Sequence, residues 1–136
     1  MKVLNRSVIC IDGDVKASDL RGEFEGDLVI NGNLNLNADL NLRCNLNVCN
    51  VLNMSTFGLY SLEVDGLITC GGVIDVNQLR AQDINAAEID AIEVYSAGDL
   101  ITAKLSNAEK VAALGYVHIN RLEHVGLIEV RKLDPP

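Results

Sequence analysis

The chain has 136 residues, with 11 basic and 19 acidic side chains and a formal net charge of −8 at pH 7. This balance argues against a protein that binds nucleic acid through a strongly basic surface. Three tyrosines, two phenylalanines and no tryptophan leave an aliphatic core. The longest nearly apolar run, Val111 to Val117, is far shorter than the ~18 residues of a membrane-spanning helix. We therefore expect a soluble protein without a direct membrane span.

The start of the chain, Met1 to Arg6, is basic, but the apolar stretch that follows is too short for a signal peptide. This pattern predicts a cytoplasmic protein. The cysteines form no CxxC pair, and a chain with this aliphatic content needs no disulfide staples. We expect reduced core cysteines, with no metal and no cofactor, at Cys10, Cys44, Cys49 and Cys70.

The composition and length predict a single domain, divided into an N-terminal coil or cap (1–27), regular repeats (28–131) and a short tail (132–136). Within the first segment, Asp12-Gly13-Asp14 begins like a calcium loop. Lys16 occupies the next alternate position, where such a loop needs an oxygen ligand. We interpret the motif as a turn.

From Leu28 the chain repeats every six residues, as LVINGN, LNLNAD, LNLRCN, LNVCNV and LNMSTF. Apolar residues at i and i+2 with a polar residue between them predict a short strand, and the next residues predict a corner. The intervening asparagines should point outward, and an 18-residue coil would stack Asn35 over Asn53 as a side-chain ladder. Four asparagines share this position: Asn35, Asn41, Asn47 and Asn53.

After a break at Gly58 to Ser61, units of five and six residues continue to the end of the repeats. Three successive units add up to 16 or 17 residues, which indicates a three-sided coil. Small residues should point into the narrow interior at Ala81, Ala86 and Ala91. The alternative is a helix over residues 79–113, but a five-residue step distributes apolar residues around a helix instead of along one stripe. Other inward pairs are equally compatible with the pattern at Ile74/Val76, Ile92/Val94 and Ile128/Val130.

These observations predict an all-β fold: a single-stranded β-helix (β-solenoid), three-sided, with about six or more coils. Stacking the coils buries a continuous aliphatic column and leaves an open strand edge at each end. Each end is either a joint to another copy or ordinary core covered by a tail, and Arg131 and Lys132 could protect an edge or join one. Asp134-Pro135-Pro136 must end the last coil. The candidate self-association residues are Val8, Ile9 and Ile11 at one end, and Val125, Leu127, Ile128 and Val130 at the other.

The segments Ser7 to Val15 and Arg21 to Gly32 resemble the opening coils of bactofilins, bacterial cytoskeletal proteins. The matching motifs are Gly13-Asp14-Val15, Gly26-Asp27-Leu28 and Gly98-Asp99-Leu100. The resemblance implies a right-handed triangular β-helix that polymerises end to end without nucleotide. It also implies a scaffold for envelope or cell-shape proteins, with no catalytic residue.

Two other families share parts of the pattern. Residues 38–42, 44–48 and 87–91 resemble pentapeptide repeats, whose acidic members mimic DNA and bind topoisomerases; that family implies a four-sided helix. The six-residue spacing also resembles hexapeptide-repeat acyltransferases, in which His118 or His124 would be the general base. His118 is expected to point outward and His124 to lie inward or at a corner.

Overall fold

The computed structural model describes residues 7–20, 26–54 and 59–133. Almost all of them are extended, which confirms the all-β prediction, and the segment 79–113 is strand instead of helix. One 3-10 turn, Ala17–Asp19, interrupts the strands. In chain order the strands are β1 Ser7–Asp12, β2 Val15–Lys16, β3 Gly26–Asn31, β4 Leu34–Leu36, β5 Leu40–Leu42, β6 Leu46–Val48, β7 Leu52–Met54, β8 Ser61–Ser96, β9 Leu100–Ser106, β10 Lys110–Glu123 and β11 Leu127–Leu133.

The strands stack in parallel as a β-solenoid of about six turns. Strands β3, β4 and β5 belong to one coil, and they pair with β6, β7 and β8 of the next coil. Each turn therefore has three strands, as the unit lengths predicted. We call the three sides wall 1 (β1, β3, β6 and the strands stacked on them), wall 2 (β2, β4, β7) and wall 3 (β5 and the strands stacked on it).

The number of residues per coil changes along the stack. Contacts between adjacent coils join residues 18 apart in the hexad region and 16 or 17 apart in the later coils. The separation is 22 where the coil includes residues 55–58. β1 already pairs with β3, and β11 continues to Leu133, so parallel stacking begins before residue 28 and extends past residue 131.

The interior is a column of aliphatic side chains that follows the strand alternation. Leu28, Ile30, Leu34 and Leu36 have no exposed surface. The predicted small inward residues are also buried, at Ala81, Ala86 and Ala91. Two polar side chains are buried in the described part of the chain, and both hydroxyls donate to backbone carbonyls: Ser96 to Asp99 at 2.6 Å and Thr102 to Lys104 at 3.1 Å.

The structure decides the inward pair where the sequence left two choices. Ile74 and Val76 point inward, whereas Ile92 is outward and Val94 is buried. In the five- and six-residue units after Ser61, Leu67 would be taken as the inward residue that begins a unit, but Leu67 is 40% exposed and its neighbour Ile68 is buried. Along each wall every second residue points inward. Corners of unequal length change which residue comes first on the wall, and therefore which residues of an alternating run point inward.

The prediction that all four cysteines belong to the core is wrong for two of them. Cys44 and Cys70 are buried, but Cys10 and Cys49 are exposed, and none of the four forms a disulfide bond. Cys10 lies between the inward residues Ile9 and Ile11, so the alternation turns it outward. Burial raises the pKa of the Cys70 thiol.

Aspartate and asparagine side chains at the corners tie each coil to the next. Asp14 Oδ1 accepts the backbone N–H of Asn33 at 3.0 Å, and Asp99 Oδ1 accepts that of Tyr116 at 2.9 Å. Each bond satisfies a donor where the chain turns away from the strand ladder. Five further bonds of this kind run from Asn45 to Asp27, Val51 to Asn33, Ser61 to Asp39, Leu67 to Asn45 and Asp99 to Asp83.

Glycine stands before several of these N–H donors because the accepting side chain fills the space of a Cβ atom. A Cβ on Gly98 would overlap Asp83 Oδ1, and a Cβ on Gly115 would overlap Asp99 Oδ1. Gly98 therefore leaves room for the Asp83 side chain of the preceding coil, and Asp99 accepts a hydrogen bond from Tyr116 of the following coil. The recurrent Gly-Asp pair is a corner device of the solenoid.

We expect Asp99→Asn to leave the free energy of unfolding almost unchanged, because Asn33 and Asn45 accept the same bond at other corners. Asp99→Ala removes the acceptor and should lower the free energy of unfolding by about 1–2 kcal/mol. Chemical denaturation of the two variants beside the wild type measures the difference. If Asp99→Asn and Asp99→Ala lowered the free energy of unfolding equally, the negative charge of Asp99, and not its hydrogen bond to the Tyr116 N–H, would be the stabilising feature.

Gly98→Ala should destabilise the chain by about 1–3 kcal/mol, because the added methyl group displaces the Asp83 carboxylate from the Asp99 N–H. The Asp83→Ala change removes that carboxylate. We therefore expect the loss caused by Gly98→Ala to be smaller in the Asp83→Ala background. A double-mutant cycle of unfolding free energies tests this coupling, and strict additivity would contradict it.

Candidate functional site

The N-terminal end of the column is formed by two of the three predicted residues. Ile9 pairs with Leu28 and Ile11 pairs with Ile30, so both point inward on wall 1. Ile9 and Ile11 are only partly buried, whereas their partners in the next coil have no exposed surface. Val8 lies in the opposite phase, is 58% exposed and belongs to the outer surface of wall 1 instead of the end.

The C-terminal end contains the other predicted residues. Val125 and Ile128 are partly buried and pack against the core. Ile128 pairs with Val111, which is fully buried in the preceding coil. Leu127 and Val130 belong to β11, but their side chains lie outside the described part of the structure. The side chains of Arg131 and Lys132, and residues 134–136, also lie outside it.

Leu122 is an end residue that the sequence analysis did not single out. It pairs with Leu105 and shares its inward phase on wall 2, yet it is 49% exposed and Leu105 is fully buried. The difference arises because a further described strand covers Leu105 and none covers Leu122. In the sequence, Leu122 is the last leucine that occupies this inward position of the repeat. That observation indicates an end residue only when the stacking order of the strands is known.

Both ends also present strand edges. In the described residues, β1 pairs with β3 on one side alone, and β11 pairs only with β10. In the described residues, the wall 2 segment of β10 pairs with β9 and with no later strand. On wall 1, Tyr116 and Val117 of β10 also pair with Lys132 and Leu133 of β11. Backbone N–H and C=O groups at such edges can pair with the edge strand of another chain.

An ion-pair group lies on wall 2 next to the C-terminal end. Lys104 Nζ is 3.3 Å from Glu123 Oε2, and Arg121 Nη2 is 2.7 Å from Glu123 Oε1. The hydrogen bond from Lys104, together with the charge of Arg121, lowers the pKa of the Glu123 carboxyl. The group spans the last two coils and keeps this margin of wall 2 highly charged.

The two histidines occupy separate positions on the last coil. His118 is exposed at the centre of wall 1, between buried Val117 and partly buried Ile119, which confirms its predicted outward direction. His124 is exposed at the corner after wall 2, with a left-handed φ of 53°. This corner position agrees with one of the two predicted for it.

The Asp12-Gly13-Asp14 segment is a corner that binds its own chain. Asp12 Oδ1 accepts a hydrogen bond from Asn31 Nδ2 at 2.9 Å, and Asp14 Oδ1 accepts from Asn33. Gly13 has φ of +97°, a conformation that favours glycine. In the described residues, no group of three or more His, Cys, Asp or Glu side chains is arranged to hold a metal ion.

The outer surfaces of walls 2 and 3 carry polar and charged side chains. On wall 2 the predicted asparagine ladder is present, because Asn35 Nδ2 donates to Asn53 Oδ1 at 3.2 Å. On wall 3 a groove of about 450 Å³ passes Arg80, whose guanidinium carbon lies 4.7 Å from the centre of the Tyr95 ring. Glu93 and Lys110 line the same groove, so its charge is mixed and singles out no ligand class.

The described residues contain no helix with the length and apolarity needed to cross a bilayer. The fold defines a repeat protein of the β-solenoid class. Comparisons with protein-family models, curated proteins and solved structures gave no match to this chain.

Asp75 lies on wall 2 beside Asp90 of the next coil, and desolvation together with the Asp90 charge raises the pKa of Asp75. The folded chain therefore holds this proton more tightly than the unfolded chain, and ionised Asp75 opposes folding at neutral pH. The opposition weakens as the pH falls through the raised pKa and is absent below the ordinary value of 3.8.

We expect Asp75→Asn to raise the Tm at pH 7 by a small amount, on the order of one to two degrees. Its advantage should disappear in the most acidic samples, where the wild-type carboxyl is protonated. Calorimetry over a pH series measures this, with Asp65→Asn on wall 3 as a control for the change in net charge. A Tm gain that stays constant with pH would contradict the assignment.

Proposed function

We propose that this chain is a structural scaffold that self-assembles end to end, in the manner of bactofilins, without nucleotide and without a catalytic role. Copies of the chain are its main partner, and envelope or cell-shape proteins are the class of partner that such a filament would organise. The cytoplasm is the compartment in which such a scaffold would act.

One observation carries the proposal: the aliphatic column runs into the last coil, and no further strand of the described residues covers it at Leu122. Leu122 is 49% exposed at a phase where every earlier described leucine of wall 2 is buried. Covering a leucine of this exposure contributes on the order of 1 kcal/mol. A second copy placed on this end would cover Leu122 and pair the adjacent strand edges at the same time.

The two ends share the same side-chain spacing. On wall 1, Ile9 and Ile11 at the start are two residues apart, like Val117 and Ile119 near the end, where Leu133 of β11 already pairs with Val117. A first coil placed over a last coil would therefore continue the column of Val117 beyond Leu133 and the column of Ile119 directly. Head-to-tail contacts of this kind form open filaments when the rotation does not close a ring.

The alternatives receive less support. A pentapeptide-repeat protein would be four-sided, whereas the coils here have three strands each. The acyltransferase interpretation needs a histidine beside a substrate site, and His118 instead lies on the open surface of a flat wall.

Leu122→Arg should abolish filaments, because the joint would have to bury a charge against the apolar column. Leu114→Arg is the matched control, since Leu114 is 45% exposed but lies at a corner on the side of the solenoid. Negative-stain electron microscopy and sedimentation velocity measure the assembly, and circular dichroism checks that both variants keep their β structure. Ile128→Arg, at the same end, should act like Leu122→Arg.

The contradicting results are equally specific. Filaments that survive both Leu122→Arg and Ile128→Arg would place the joint elsewhere. A wild-type chain that forms only a monomer or a discrete small oligomer would overturn the filament proposal.

A further inference from the structure

Wall 2 has an unpaired strand edge at both ends of the described solenoid. At the N-terminal end, β2 pairs with β4 and, in the described residues, with no other strand. At the C-terminal end, residues 121–123 of β10 pair with β9 and with no later described strand. A second copy that continues the parallel stack would therefore bring its β2 next to residues 121–123.

The inward positions of wall 2 set the register of such a joint. Val15 is the inward residue of β2 and pairs with Leu34, and Leu122 is the inward residue at the other end and pairs with Leu105. A shift by one residue would turn inward side chains outward, so continuation of the stack places Val15 on Leu122. Val15 is already buried in its own coil, whereas Leu122 is 49% exposed, so the apolar surface that this joint covers belongs to Leu122.

The residues on either side of these two inward positions have opposite charges at the two ends. Asp14 precedes the inward residue at the N-terminal end, and Arg121 precedes it at the C-terminal end. Lys16 follows it at the N-terminal end, and Glu123 follows it at the C-terminal end. The register that stacks the inward residues thus places a cation opposite a carboxylate at both flanking positions.

These four charged side chains are accessible to another chain. Asp14 and Lys16 are exposed, the Arg121 side chain is 70% exposed, and the Glu123 side chain is 32% exposed. Arg121 contacts Glu123 through Nη2, so its other N–H groups can donate to a further carboxylate.

The charge at the C-terminal edge also matches this occupant. Lys104, Arg121 and Glu123 form one group, in which two cations and one carboxylate leave a net positive charge. Asp14 accepts both of its hydrogen bonds from Asn33 at Oδ1, which leaves Oδ2 to face a cation. An Asp14 carboxylate placed on Arg121 would neutralise the group.

We propose that two ion pairs across wall 2, Asp14 with Arg121 and Lys16 with Glu123, select the β2 edge of a second copy as the partner of the C-terminal end. This inference rests on the end-to-end assembly proposed above and assigns the register and the specificity residues of its joint. Exposed ion pairs contribute little to affinity, but opposite charges at two adjacent positions favour one register and disfavour partners that lack them.

Reversing the charge on one side of the joint tests the proposal. Lys16→Glu places two carboxylates opposite each other at Glu123, and Glu123→Lys places two ammonium groups opposite each other at Lys16. Each change alone should raise the critical concentration for filaments about fivefold at low ionic strength. Lys110→Glu is the matched control, because Lys110 is an exposed lysine on wall 3 whose strand is paired on both sides.

An equal mixture of the Lys16→Glu and Glu123→Lys chains should assemble within about twofold of the wild-type critical concentration. In alternating filaments of the two chains, opposite charges meet at every joint. Mixing repairs neither chain, so a loss caused by a weakened coil would persist in the mixture. A chain that carries both changes should recover in the same way. Pelleting over a concentration series and negative-stain electron microscopy measure assembly, and circular dichroism checks the β structure of each chain.

A milder change keeps the test valid if Glu123→Lys loses its β structure. Glu123→Gln removes the carboxylate without adding a cation, so combining it with Lys16→Glu should recover part of the loss caused by Lys16→Glu. Because all these side chains are accessible to solvent, the effect of Lys16→Glu should also shrink at about 0.5 M salt.

The contradicting outcomes separate this register from end joining itself. Wild-type filaments without recovery in the mixture or in the doubly changed chain would overturn the two ion pairs and leave end-to-end assembly standing. An effect of Lys110→Glu equal to that of Lys16→Glu, or an effect of Lys16→Glu that salt does not reduce, would overturn them as well. A wild-type chain that forms no filaments would overturn both this inference and the assembly on which it rests.

Discussion

Parallel backbone pairing between successive coils is the constraint on which this structure depends. A strand of three residues cannot bury its apolar face or satisfy its backbone alone, but each coil supplies both partners to its neighbours. The same constraint creates the two ends, where pairing stops. Leu122 occupies an inward position, like its partner Leu105, but it is 49% exposed because no later strand of the described residues pairs with it.

The corners allow the pairing to continue although the coils differ in length. An aspartate or asparagine accepts the N–H of the next coil, as Asp99 does for Tyr116, and glycine leaves room for the previous acceptor, as Gly98 does for Asp83. The strands can then stay in register while the number of corner residues varies. The Gly-Asp motif, which is the basis of the resemblance to bactofilins, thus has a physical role that any solenoid with such corners could use.

The three walls divide the surface by chemistry. Walls 2 and 3 carry the charges, including the ion pairs of Glu123 and the Arg80–Tyr95 contact. The outward residues along the centre of wall 1, such as Asn47, Asn85 and Ile101, are neutral, and a column of carboxylates that includes Asp83 and Asp99 lies beside them.

The sequence by itself determined the fold class, the three-sided coil and most of the core, since Leu28, Ile30 and Ala81 follow a period that only short stacked strands satisfy. It also located the terminal segments, with Ile9, Ile11 and Ile128 at or near the ends. The tertiary structure decided the phase at Leu67 and Ile92, the outward direction of Cys10 and Cys49, and the exposure of Leu122. These depend on corner lengths and on which strand comes last in the stack, and neither is a local property of the residues. The side-chain composition of each wall emerges in the same way, because residues 16 to 22 positions apart become neighbours only after the chain has coiled.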